Sequence, residues 1–392
     1  MEKLCDKIIH AIQKTISNSN KKELNIHEPV FKGNEKKYLL DCIDKGYVSS
    51  IGEYINEFEK RMSKFTGAKY GIAVMNGTAA LHVCLKLAEV RANDEVLVPS
   101  LTFVATSNAI RYCQAFPHYV ESDEKNLGID TKKLEDYLKE NTLIKQKICI
   151  NKKTGRPIRA IIVVHVFGMP TDLDPLQRLC KKYHLKLIED AAESLGSYYK
   201  KKHTGTFGMA SALSFNGNKI LTTGGGGMVL CNKKKIYELA KHITTTAKIS
   251  SGWRFSHDKI GFNYRMPNLN AALGCAQIEQ LALLIKKKRK LAKKYRANFA
   301  KINQVKFLNE PDYAKSNFWL NTIILDKPNN NLLKNLIKKA EKLKIQIRPA
   351  WKLSHTLPMY KDCPSMNLDT TEKIALRIMN LPSSADLLDK HI

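Results

Sequence analysis

From about residue 50 onward the chain alternates short apolar runs with stretches whose apolar residues recur every three or four positions, and this constrains its fold more than any other feature. Residues 70–75, 95–99, 160–164, 185–188, 210–215 and 228–231 read as buried strands. Residues 53–65 read as a helix, and so does the stretch carrying Ala79, Leu81, Val83, Cys84, Leu85 and Leu87. Strands alternating with helices predict an α/β domain around a mainly parallel sheet. Such sheets take ligands beyond the carboxyl ends of their strands, so the residues just after each run matter most. The polar stretch 151–157, with turn chemistry at Gly155 and Pro157, reads as a surface loop.

After about residue 299 the pattern changes, with strand candidates at 321–325 and 345–347 around one basic helix, 331–343. This predicts an N-terminal segment (1–30), a large domain (31–285) and a small α+β domain (286–392). The chain is long enough to bury its cores without covalent staples. Its nine cysteines are odd in number and include no CxxC pair, which sets aside a zinc site of usual spacing and a disulfide-dense secreted scaffold. A reducing cytoplasm is expected. Residues 1–25 do not read as a signal peptide, and no run of about 20 apolar residues offers a membrane span.

The balance of 65 Lys and Arg against 37 Asp and Glu gives a formal charge of +28. A polyanion footprint is one reading and a solvated surface is the other. The densest run, Lys286 to Lys290, lies where Ile278, Leu281, Ile285, Ala292, Tyr295 and Phe299 mark an amphipathic helix. Its lysines then fall on the solvated faces. With no aromatics interleaved for base stacking, no nucleic-acid partner is expected.

Four strand-end features carry chemistry. Asn76-Gly77-Thr78 joins a strand to a helix, where free N–H groups and a hydroxyl make a phosphate cradle or simply a helix cap. Glu189, Asp190 and Glu193 follow an apolar strand, and a carboxylate there needs a cation or hydrogen-bond donors; a helix cap is the plainer alternative for Asp190. Lys219 lies between the Ser214 strand end and four consecutive glycines, 224–227, a setting for an amine nucleophile. Phe103 follows the strand at 95–99 and is placed either to flank a flat ring or to fill the core.

Phosphate cradle, aromatic, aspartate and lysine, in that order, are the parts of a pyridoxal-phosphate site. With Gly261-Phe262-Asn263-Tyr264-Arg265-Met266 added, the chain resembles the DegT/DnrJ-type nucleotide-sugar aminotransferases, which have the type I (aspartate aminotransferase-like) fold. The resemblance implies that Lys219 holds pyridoxal 5'-phosphate covalently and moves the proton, while Asp190 pairs with the pyridine nitrogen. It further implies that Gly77, Thr78 and Ser214 hold the phosphate and that Phe103 stacks on the ring. Glu193 stands near the ring hydroxyl where many relatives carry Gln or His. Asn263 reaches the phosphate of the neighbouring subunit's cofactor, which implies a homodimer, and Arg265 is a substrate-binding candidate.

His27-Glu28-Pro29, Tyr47 to Gly52, the 151–157 stretch and Asn216-Gly217-Asn218-Lys219 resemble the subgroup of legionaminic-acid-type pathways. That implies transfer of an amino group, with glutamate as donor, to C4 of a nucleotide-linked 4-keto-6-deoxy-N-acetylhexosamine. The rivals are a 3-keto or perosamine-type substrate, a dehydratase, and a non-enzymatic regulator that uses the basic surface. In the family's dehydratases a histidine replaces the lysine, and here Lys219 is present.

Overall fold

In the computed structural model, which describes residues 2–17, 19, 21–251 and 253–389, the apolar runs assemble into a nine-stranded sheet. Its main path runs Tyr70–Val74, Gly227–Cys231, Ala210–Ser214, Lys186–Asp190, Pro157–Val164, Glu95–Pro99 and Phe116–Val120. Every strand on that path points the same way except Gly227–Cys231, which is antiparallel to both neighbours. Both faces are covered, so successive side chains enter different cores. Val96 and Val98 pack with helix Gly77–Leu87, whereas Leu97 packs with helices Thr131–Asn141 and Leu173–Tyr183.

Two elements of this sheet differ from the sequence expectation. The edge strand Phe116–Val120 was not foreseen, because Pro117 and His118 interrupt its apolar run. An edge position tolerates the missing proline N–H, and His118 satisfies its ring by bonding Glu95 (2.8 Å) and the Tyr137 hydroxyl (3.0 Å). The stretch 151–157 is the tip of a hairpin, with Asn151 and Pro157 inside the strands Ile148–Asn151 and Pro157–Val164. Asn151 is buried and donates to Glu95 (2.9 Å), which also accepts from Thr154 (2.6 Å).

The C-terminal residues form an antiparallel sheet of Val305–Phe307, Asn321–Leu325, Ile378–Leu381 and Arg348–Pro349. Residues 345–347 are not a strand. Lys344 turns left-handed (φ 56°) after helix Asn330–Lys342, and Ile345 makes only an isolated bridge to Leu24. The first helix, Glu2–Thr15, places Ile8 and Ile12 in this C-terminal core beside Leu336 and Ile378. One helix, Asn268–Phe299, spans the two cores. Its Ala271, Cys275 and Leu281 pack with Phe58 and Met62, and its Leu291, Tyr295 and Phe299 pack with the C-terminal sheet. Because its partners change along its length, we propose that the domains divide within this helix, near residue 285. Among the described residues no helix is long and apolar enough to cross a membrane.

The lysine run corrects a further expectation, since Lys288 is fully buried rather than solvated. Its Nζ donates to the carbonyls of Trp319 (3.1 Å) and Ser383, fastening the long helix to two C-terminal segments. Burial pushes this amine well below the ordinary lysine range. The unfolded chain therefore binds a proton that the folded chain does not, and folding gains stability as pH rises toward the ordinary lysine value. The melting temperature of the wild type relative to Lys288→Met should accordingly rise between pH 7 and pH 10. A pH-independent difference would contradict a neutral buried amine.

Candidate active site

The carboxyl ends of the strands converge on a cleft of about 200 Å³ lined by Gly77, Thr78, Phe103, Asp190, Glu193, Ser214 and Lys219. At its first wall, Asn76 caps helix Gly77–Leu87 by accepting from the Ala79 N–H (2.8 Å). The N–H groups of Gly77 and Thr78 precede the helix's own hydrogen-bonding ladder. Among the described residues they have no partner, and neither do the hydroxyls of Thr78 and Ser214. Two glycines keep this cradle open. A Cβ on Gly77 would lie 2.9 Å from Ser214 Cβ, and one on Gly227 would lie 2.5 Å from the Asn76 carbonyl carbon. Free donors at a positive helix end suit a phosphate.

Of the three acids here, Glu189 and Asp190 separate by strand alternation, and Glu193 reaches the cleft from the turn that follows. Glu189 faces away from the cleft and, fully buried, accepts from the N–H groups of Gly205, Phe207 and Gly208 and from His165. Asp190 faces the cleft. Its Oδ2 accepts from Thr106 Oγ1 (2.7 Å), which also bonds Thr102 Oγ1 (2.9 Å), and its Oδ1 accepts from the Ala192 N–H (3.2 Å). Burial raises its pKa, and these donors together with Lys219 oppose the rise. A desolvated carboxylate with room for one more donor suits a protonated ring nitrogen.

Lys219 sits on a turn in which its N–H bonds the Asn216 carbonyl (2.9 Å). Its Nζ lies 3.4 Å from Glu193 Oε1 and 4.0 Å from the centre of the Trp319 ring. Glu193 Oε2 accepts from the Phe167 N–H (2.8 Å), on a residue held left-handed at φ 55°. Burial pushes the Glu193 carboxyl up to about 7 against the pull of Lys219. The donor set and the glycine-shaped cradle fit pyridoxal phosphate: Gly77, Thr78 and Ser214 would hold its phosphate, Asp190 would meet its ring nitrogen and Lys219 would take its aldehyde carbon.

Phe103 is 55% exposed at the cleft wall, its ring centre 6.4 Å from that of Trp351 in an edge-to-face arrangement. Asn263 and Arg265 do not line the cleft. Asn263 is exposed and bridges Thr245, and Arg265 bridges Val74. Thr106, Trp319 and Phe167 were not foreseen. Only Thr106 had a local signal, being one helical turn beyond Thr102.

Residues 29–392 match the DegT/DnrJ/EryC1/StrS aminotransferase family. The chain belongs to this family. A protein of Vibrio cholerae named GDP-perosamine synthase is 38% identical over 368 residues, covering 94% of this chain and 95% of that one. A protein of the same name from Escherichia coli O157:H7 is 36% identical over 372 residues, covering 95% of this chain and 96% of that one. Among solved structures, Helicobacter pylori PseC, described as an aminotransferase involved in the biosynthesis of pseudoaminic acid, superposes with a TM-score of 0.84 at 24% identity, over 94% of this chain and 96% of that one. The protein is thus a pyridoxal-phosphate-dependent sugar aminotransferase with an α/β fold, acting on nucleotide sugars.

The raised carboxyl of Glu193 makes a prediction with a defined sign. A folded-state value near 7, above the ordinary 4.5, favours folding at low pH, and that advantage is lost as pH rises through this window. From pH 5 to pH 8, the apoprotein's melting temperature should therefore fall relative to that of Glu193→Gln. A difference that does not move with pH would show that Glu193 ionises like an ordinary surface carboxylate.

Proposed function

We propose that this enzyme transfers the amino group of glutamate to C4 of a nucleotide-linked 4-keto-6-deoxy-N-acetylhexosamine, for a nonulosonic (legionaminic-acid-type) surface glycan. The observation that carries the reaction type is the single cleft holding Lys219, Asp190 and the Gly77–Thr78–Ser214 cradle. Bound pyridoxal phosphate supplies the electron sink. Lys219 Nζ would hold the cofactor, give it up to the incoming amine, and move a proton off the donor's α-carbon in the first half-reaction and one onto the sugar carbon in the second. Asp190 keeps the ring nitrogen protonated, and Phe103 covers one ring face. Asn216 and Asn218, beside Lys219 in the cleft, offer neutral amides to hydroxyl and acetamido groups of a sugar. The resemblance of the 27–29, 47–52 and 216–219 segments supports the N-acetylated substrate.

A second reading is a GDP-linked, perosamine-type keto sugar, favoured by the two relatives that bear that name. We further propose a homodimer in which Asn263 of the partner subunit completes the phosphate site. Ile260, 90% exposed, and Trp253, 83% exposed, support this by presenting apolar surface close to Asn263 in sequence.

The test offers UDP- and GDP-linked 4-keto and 3-keto sugars, with and without the acetamido group, together with glutamate. The expected product is the 4-amino N-acetyl sugar, and Lys219→Ala should form none. Preference for the GDP-linked sugar without the acetamido group would establish the second reading, and amination at C3 would overturn both.

A further inference from the structure

Trp319 lies a hundred residues beyond the lysine loop, yet it is bound to that loop and to the rest of its surroundings at several points. Its indole Nε1–H donates to the Asn218 carbonyl (2.8 Å), on the residue before Lys219. Its backbone N–H donates to Asn317 Oδ1 (2.8 Å), and the Asn317 amide donates in turn to the carbonyls of Glu193 and Leu195, each at 2.9 Å. Its carbonyl accepts from the buried Lys288 (3.1 Å). The ring is only 4% exposed and cannot swing away without breaking these contacts. One of its faces is turned to Lys219 Nζ, 4.0 Å from the ring centre, with Glu193 Oε1 on the amine at 3.4 Å.

We propose that Trp319 is the positioning residue for Lys219, its indole face being the seat the lysine amine occupies whenever its nitrogen is not joined to the cofactor. This rests on the reading of Lys219 as the cofactor-binding lysine. In transamination the lysine is bonded to the cofactor for only part of each cycle, and for the remainder its amine must stay within reach of the reacting carbons. An aromatic face attracts an ammonium through its quadrupole, and more strongly where water is excluded. The face holds the ammonium once its bond to the cofactor is gone, so Trp319 favours displacement of Lys219 by an incoming amine. The other ionisable groups set against this lysine are Glu193 and Asp190 on the Lys186–Asp190 strand and the turn after it, and His27 from the N-terminal segment.

The test uses the cofactor-loaded protein and methylamine, which has no carboxylate and so reports release whatever the natural donor. The C=N bond to Lys219 Nζ is exchanged for one to the nitrogen of neutral methylamine, whose two N–H hydrogens end on Nζ, and Nζ takes one further proton from water to become the ammonium. Borohydride then fixes the cofactor on those chains still joined to it, and intact-protein mass spectrometry reads the fraction. The methylamine concentration that halves this fraction should rise about 3- to 10-fold in Trp319→Leu, the range of a partly desolvated cation–aromatic contact. Trp319→Phe keeps an aromatic face while giving up the indole N–H, and should raise the midpoint less. An unchanged or lowered midpoint in the Leu variant, or equal shifts in both, would overturn the seat. Where Trp319→Leu does not load with cofactor, Trp319→Phe decides, about a twofold rise supporting the seat and no rise overturning it. Wild-type protein that borohydride leaves unlabelled would remove the Lys219 reading itself, and the seat with it.

Discussion

A carboxylate buried at the end of a strand must be met by donors, and the architecture of this enzyme is arranged around meeting that requirement for Asp190. Thr106 and the Ala192 N–H supply two hydrogen bonds, and the remaining capacity faces the cleft. Thr106 can reach it because the strand Glu95–Pro99 runs parallel, one strand removed, and hands the chain to helix Val104–Tyr112 at the same end of the sheet. The phosphate cradle lies at that end for the same reason. The antiparallel strand Gly227–Cys231 enters between two parallel ones, and the close approach of its Gly227 to Asn76 holds the cradle beside the lysine loop. Parallel strand ends thus bring a helix N-terminus, a desolvated acid and an amine into one volume, as catalysis on a phosphorylated, protonated ring requires.

The C-terminal region is not a passive appendage to this sheet. Asn317 ties down the Glu193 turn, Trp319 ties down the lysine loop, and Lys288 ties Trp319 to the long helix. A shift of the small domain would therefore reach Lys219 through hydrogen bonds rather than through loose packing.

The parts of the site that could be read from sequence are those whose signal is local. Gly77 and Thr78 follow a strand directly, Asp190 ends one, and Lys219 sits between a strand and a glycine run, so their placement follows from the sheet rule alone. Phe116–Val120 was hidden because its strand character rests on an edge position and on His118 finding Glu95, neither of which is encoded nearby. Lys288 was misread for a related reason. In a run of five basic residues nothing local distinguishes the one that turns inward, and only the carbonyls of Trp319 and Ser383, distant in sequence, make its burial tolerable. Trp319 and Asn317 escaped notice because their partners lie about 100 residues or more away. Asn263 and Arg265, singled out by resemblance, lie outside the cleft of their own chain.

The most direct test of the central claim is the visible absorption spectrum of the purified protein supplied with pyridoxal phosphate, recorded before and after glutamate. The account predicts a violet-region band from the cofactor joined to Lys219, fading as glutamate donates its amino group. A protein that develops no such band would contradict the assignment of Lys219, Asp190 and the Gly77–Thr78–Ser214 cradle as one working site.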